Sequence, residues 1–345
     1  MICELGVGVV GVGVMGTLRI ATILDHPHTT LCAVADVDST RTRPWARRTR
    51  TTTDYRQLVE DPAIHVVVVS TPAHLHEAVA IAALESGKHV LCEKPLATTV
   101  DACARMVTAA RRHERILAVG FTHRYYPCFR FLREVLDTGI LGPLDHMRVS
   151  GGHLGPSGFR EVWEYEKTGG GVMMDIGLHM TDLVRFLAAD IVRANGTTGA
   201  RIWQVDRSED RAMALFDTAS GVPIAYQDTW DEWKGYRLCV DLYGTVGAAR
   251  GYYGPMFNLL AVQDTAGRRR RRFKWYLAQN LGERLRGWQT TVRRACAAEL
   301  DDLLRRLDGE TVSLGSGVDG LRALQVAAAV YESAERRTAV SLALD

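Results

Sequence analysis

The chain has 345 residues, 47% hydrophobic and 24% charged, the composition of an ordinary soluble protein of two domains. Its 42 basic and 40 acidic residues leave a net charge of +2, which provides no whole-molecule field for nucleic acid or anionic membrane. Seven cysteines with no C-x-x-C pair read as reduced thiols of a cytoplasmic protein and exclude a disulfide scaffold.

The predicted elements begin with a strand at Leu5–Val10. The apolar run Val7–Met15 is too short and too glycine-rich to span a bilayer, and no signal peptide is read. A helix over Thr17–Asp25, stopped by Pro27, leads to a strand at Leu31–Asp36. A helix near Tyr55–Glu60, an apolar strand at Ile64–Ser70 and a helix at Glu77–Ser86, capped by Gly87, follow. His89–Cys92 is the next strand, Thr98 with Asp101 reads as a capping box opening a helix to Arg112, and Ile116–Phe121 is a strand. Strands alternating with helices in this way predict a parallel sheet covered on both faces.

After Phe121 the rhythm changes. A helix near Phe129–Asp137 precedes predicted strands at His146–Ser150, Ile202–Val205, Arg211–Phe216, Pro223–Thr229 and Tyr236–Tyr243. One helix, Met174–Ala188, interrupts them, and Arg293–Leu307 and Gly320–Arg336 close the chain. The run Arg268–Arg272 reads as a solvated hairpin or loop.

Two overlapping G-x-G-x-x-G matches occur, Gly6/Gly8/Gly11 and Gly11/Gly13/Gly16. The first leaves too short a strand and puts two glycines inside the next helix, at about 1 kcal/mol each relative to alanine. The second gives a full strand, then Gly11, Gly13, Val14, Met15 and Gly16 as a loop that opens a clean helix, whose free N–H groups suit a pyrophosphate. Asp36 ends the second strand 20 residues after Gly16, where a carboxylate holds ribose hydroxyls and repels a 2′-phosphate. That favours NAD over NADP; Arg41 and Arg43 just downstream would tolerate the phosphate.

These residues resemble the glucose–fructose oxidoreductase/inositol dehydrogenase family (Gfo/Idh/MocA). The marks are GVGVMG, then STPAHLHEAVAIAALESGKHVLCEKPLA over Ser70–Ala97, then GGGVMMDIGLHMTD over Gly169–Asp182, with YGTVGAARG from Tyr243. The resemblance implies an N-terminal Rossmann domain, a doubly wound parallel sheet over 1–122. A C-terminal α+β domain with a large, mostly antiparallel open sheet over 123–345 would bind substrate and drive assembly into a homodimer or homotetramer. It implies cofactor contacts from Ser70, Thr71, Pro72, His76, Glu93 and Lys94, and catalysis by Lys94, Asp175 and His179, without a metal. Two departures stand out: Ala73 where the family often has asparagine, and His123 where many relatives do.

The implied chemistry agrees with the residue types. Lys94 ends a parallel strand, His179 has an ordinary pKa near neutrality, and Asp175 lies four residues before it on an expected helix face. His179 would take the hydroxyl proton and Lys94 would stabilise the charge left on oxygen. His123, Arg124, Tyr125, His153, Arg160 and Trp163 flank the motifs and suit a polyhydroxylated ring. The expected function is NAD-dependent oxidation of a sugar, amino sugar or cyclitol hydroxyl. The alternatives are an NADP-dependent keto-sugar reductase, an NAD-using glycosidase and a non-catalytic dinucleotide sensor.

Overall fold

The computed structural model describes residues 5–155, 165–264 and 266–343. They form two compact units: the described residues up to Thr122 with Gln289–Leu321, and those from His123 to Trp288 with those from Arg322 onward. Among them, no helix is long and apolar enough to cross a membrane.

The first unit is built on parallel strands β1 (Leu5–Val10), β2 (Thr29–Ala35), β3 (Arg50–Thr52), β4 (Val66–Val69), β5 (His89–Cys92) and β6 (Leu117–Val119). Their spatial order, β3-β2-β1-β4-β5-β6, is the doubly wound Rossmann order, with the reversal between β1 and β4. β4 is four consecutive valines, all buried, as a strand covered on both faces requires. Gly6 and Gly8 lie within β1, where a Cβ would stand 1.8 Å from the Ala63 carbonyl oxygen and 2.5 Å from Leu58. They are packing glycines, so the first of the two glycine registers is excluded. The helix after β5 begins one residue later than expected: Thr99, not Thr98, is its cap, accepting from the Ala102 N–H at 3.2 Å. Leu300 and Leu303 of the late helix Gln289–Leu307 complete this core beside Ile20 and Ile23.

His89 opens β5, and its Nδ1 accepts from the Ile116 N–H at 3.0 Å. Burial, aided by Arg115 and His65, pushes its pKa from 6.5 down to about 4. The unfolded chain therefore takes up this proton first. The contribution is complete above pH 6.5 and is lost as the pH falls from 6.5 to about 4. A His89→Gln protein should show a flatter dependence of thermal midpoint on pH across that window.

The second unit carries β7 (Leu144–Gly152), β8 (Ile191–Gly199), β9 (Arg211–Thr218), β10 (Pro223–Thr229), β11 (Arg237–Gly244), β12 (Gly247–Tyr253), β13 (Phe257–Gln263), β14 (Arg269–Trp275) and β15 (Val340–Ser341). They form one sheet, β14-β13-β12-β11-β7-β10-β9-β8-β15, antiparallel except at β7–β10. Arg269–Arg272 of the arginine run lie on β14, an exposed edge strand, where charge discourages edge-to-edge pairing.

One expected strand is absent here. Ile202–Val205 is not a strand: the N–H groups of Arg201, Ile202 and Trp203 all turn to the buried carboxylate of Asp210, two of them at 2.6 Å. A strand would send alternate N–H groups to opposite sides. The strand in this stretch is instead β8, whose polar sequence hides a half-buried ladder on β9.

Candidate active site

In the first unit the chain leaves β1 through Gly11, at φ +92°, whose N–H donates to the Ala35 carbonyl at 2.8 Å. Gly16 lies in the first turn of helix Val14–Asp25, so close to the loop that a Cβ would stand 1.9 Å from the Gly11 oxygen. Gly13 is the N-cap of that helix; it has no side-chain cap and nothing within 4 Å of where its Cβ would be. Val14, just inside, is 59% exposed, and Met15 is half-buried. The result is an open cradle above free helix N–H groups, the geometry a diphosphate needs.

Asp36, directly after β2, accepts from the Val12 N–H at 2.7 Å and from the Asp38 N–H at 2.9 Å. The glycine loop itself therefore fixes this carboxylate. Arg41 pairs with Asp38 at 3.5 Å, so this downstream cation already faces a second acid. Ser70 and Thr71 follow β4, and their hydroxyl oxygens are buried without a hydrogen-bond partner. A dry hydroxyl left so is costly unless a ligand completes it. An open cradle, a held carboxylate and two orphaned hydroxyls at the carboxyl ends of β1, β2 and β4 fit a dinucleotide.

Pro72 leads into the helical turn Ala73–Leu75 and the helix His76–Glu85. His76, 1% exposed, has one ring nitrogen 2.8 Å from the Pro95 carbonyl and the other 2.8 Å from the Thr71 carbonyl. It pins two loops together. Burial lowers its pKa, against the pull of the Thr71 and Pro95 carbonyls. Glu93 and the half-buried Lys94 follow β5, and the Lys94–Pro95 peptide is cis.

In the second unit Asp175 lies in a π-helical turn, Met173–Gly177, which runs into helix Leu178–Leu187. The simple α-helical i, i+4 face expected for Asp175 and His179 is therefore absent, because a π turn inserts an extra residue per hydrogen-bonded ring. Glu209 holds the entry to that turn, accepting from the N–H groups of Gly171 at 3.0 Å and Met173 at 2.8 Å and from the Tyr331 hydroxyl at 3.0 Å. Burial raises its pKa.

Asp175 Oδ2 accepts from His153 Nε2 at 2.6 Å and from Trp230 Nε1 at 3.0 Å. The His179 ring lies against that of His123, centroids 3.9 Å apart and the planes tilted by 31°. The Tyr236 hydroxyl is 3.2 Å from His123 Nε2, and its ring stacks on His153. One cluster thus gathers His123, His153, Asp175 and His179. It adds Trp230 and Tyr236, which motif reading missed. Strand register was the available signal. Gly152 pairs with Thr229 of β10 and with Arg237 of β11, so the neighbouring residues His153, Trp230 and Tyr236 emerge together at the same end of these three central strands.

Arg124 and Tyr125 are engaged elsewhere. Arg124 forms a buried fork with Asp182, at 2.7 and 2.5 Å, and lies over Phe186. Tyr125 is 5% exposed beneath Arg130. Arg160 and Trp163 lie outside the described residues. Among the described residues, no group of three or more His, Cys, Asp or Glu is arranged to hold a metal ion.

Known proteins resemble the chain over most of its length. Residues 5–121 match the oxidoreductase family model with an NAD-binding Rossmann fold, and residues 129–250 match the GFO/IDH/MocA C-terminal domain. An inositol 2-dehydrogenase of Acidothermus cellulolyticus is 30% identical over 97% of this chain and 94% of its own. A myo-inositol 2-dehydrogenase of Thermotoga maritima is 23% identical over 97% and 98%. Among solved structures, levoglucosan dehydrogenase in complex with NADH and levoglucosan superposes with a TM-score of 0.87 at 25% identity, covering 99% of this chain and 100% of that one.

Proposed function

Because this chain belongs to the Gfo/Idh/MocA oxidoreductase family, we propose that it oxidises a secondary hydroxyl of a cyclitol, sugar or amino sugar with NAD. The observation that carries the reading is the open Gly13 cradle beside the held Asp36 carboxylate and the orphaned Ser70 and Thr71 hydroxyls. Bound NAD supplies the acceptor for the carbinol hydride. Gly11, Gly13 and Gly16 let the backbone approach the diphosphate, with Val14 and Met15 N–H groups behind them. Asp36 holds the ribose hydroxyls, and Ser70, Thr71, Pro72 and the Glu93–Lys94 turn flank the rest.

The chain's own residues handle the proton and the charge. His179 takes the hydroxyl proton, and the Lys94 ammonium stabilises the negative charge that develops on the oxygen. Asp175, oriented by His153 and Trp230, accepts a substrate hydroxyl and keeps the ring in place. His123, His153 and Tyr236 supply the remaining polar and aromatic contacts.

Absorbance at the reduced-nicotinamide band, followed across cyclitols, sugars and amino sugars with NAD and NADP separately, tests the reading. Steady growth with NAD is expected. Turnover of a glycoside without net growth would mean an NAD-using glycosidase, and no turnover with intact NAD binding would mean a sensor. Asp36→Ala should reduce the preference for NAD over NADP, since a phosphate 4 Å from a carboxylate is repelled by about 4 kcal/mol at an effective dielectric of 20. An unchanged ratio of kcat/KM values would remove Asp36 from cofactor choice.

Self-association through the open face of the nine-stranded sheet is part of the proposal. Met213 and Leu215 stand 43% and 64% exposed there. Light scattering behind a sizing column reads the state, with a dimer or tetramer expected. The six described cysteines are all free, which supports placement in the cytoplasm.

A further inference from the structure

Arg19 belongs to the helix that follows the glycine loop, yet it is 2% exposed. A cation in so dry a place needs partners. Its Nε donates to Glu93 Oε1 at 2.7 Å, and its Nη1 donates to Glu299 Oε2 at 2.5 Å. Glu299 is fully buried and comes from helix Gln289–Leu307, 280 residues further along the chain. Gly120 makes room for the pair: a Cβ there would stand 2.7 Å from an Arg19 nitrogen and 2.9 Å from a Glu93 oxygen.

Stability does not account for this arrangement. Buried ionic triads are often no more stabilising than well-packed apolar side chains of similar volume. Their return is a fixed geometry, and what this one fixes is Glu93, whose N–H also donates to the Val69 carbonyl at 2.9 Å. The next residue is Lys94. On its other side, Pro95 is pinned by His76, with a ring nitrogen 2.8 Å from its carbonyl oxygen. The main chain at Lys94 is thus anchored on both flanks by buried groups.

We propose that Arg19 and Glu299 are positioning residues for hydride transfer, bracing Glu93 so that the Lys94 ammonium meets the reacting oxygen. The late helix Gln289–Leu307 is then a working part of the dinucleotide-binding unit. The inference rests on the role given to Lys94 above.

A double-mutant cycle separates the two claims. Glu299→Gln keeps the side-chain shape and removes its charge. Alone, it should lower kcat about 10- to 100-fold, the scale of a small misplacement of a catalytic group. The NAD dissociation constant, read by fluorescence titration, should stay within about twofold, because the Gly13 cradle and Asp36 are untouched. In a Lys94→Ala background, Glu299→Gln should cost less than about twofold more, since the group it positions is gone. Arg19→Lys, which keeps the charge but loses the fork, should behave likewise and carries the same cycle if Glu299→Gln does not fold. Equal losses with and without Lys94 would overturn the proposal, as would NAD affinity falling in step with kcat or both variants failing to fold. Wild-type turnover by Lys94→Ala alone would instead defeat the role given to Lys94.

Discussion

Lys94→Ala should lower kcat about 10²- to 10³-fold, the usual cost of losing a preorganised group that stabilises a developing oxyanion. The dissociation constant for NAD should change by no more than about threefold, because the contacts that dominate dinucleotide affinity come from the glycine loop and Asp36. Its position makes the split interpretable. Lys94 follows β5 at the carboxyl end of the parallel sheet, where such sheets place ligands. Its side chain is half-buried, so removing it opens no deep cavity, and the thermal midpoint should barely move. Steady-state kinetics with a substrate found in the panel, paired with NADH fluorescence titration, read both quantities. Parallel losses in kcat and NAD affinity would make Lys94 a structural residue of the turn. An undiminished kcat would give charge stabilisation to another group.

Some elements were legible from local pattern alone. β5 at His89–Cys92 and β10 at Pro223–Thr229 match their expected limits, each bounded by residues that break a strand. The second glycine register was legible because the first would have left too short a strand and put two glycines inside the next helix; the helix begins at Val14 and so takes in only Gly16. Local pattern failed where distant groups decide the backbone. Asp210 gathers three successive N–H groups and so turns Ile202–Val205 into a loop. Glu209 holds the π turn that separates Asp175 from the expected α-helical face. Trp230 and Tyr236 carry no motif, and only the pairing of β7 with β10 and β11 brings them beside His153. Glu299 is less legible still. Helical periodicity places it on a buried face, but nothing nearby in sequence names Arg19 as its partner.

Gly13→Ala and Gly16→Ala, one helical turn apart, should fail in different ways. At Gly13 the backbone is at φ −76° and ψ −159°, which any residue adopts, and an added Cβ meets nothing within 4 Å. The alanine protein should therefore keep its thermal midpoint while the new methyl stands in the cradle. NAD affinity should fall about 10- to 100-fold, or about 1.4–2.8 kcal/mol. At Gly16 the same methyl would stand 1.9 Å from the Gly11 carbonyl oxygen, and Gly11 cannot yield easily because it packs on the Ser70 main chain at φ +92°. The free protein should lose about 1–3 kcal/mol as the helix is pushed off the loop, and NAD binding should be lost with it. Denaturant unfolding of the free variants, compared with calorimetric titration of NAD, distinguishes ligand exclusion from loop damage. A destabilised Gly13→Ala protein, or a Gly16→Ala protein that binds NAD as the wild type does, would mean that the diphosphate does not sit over this helix.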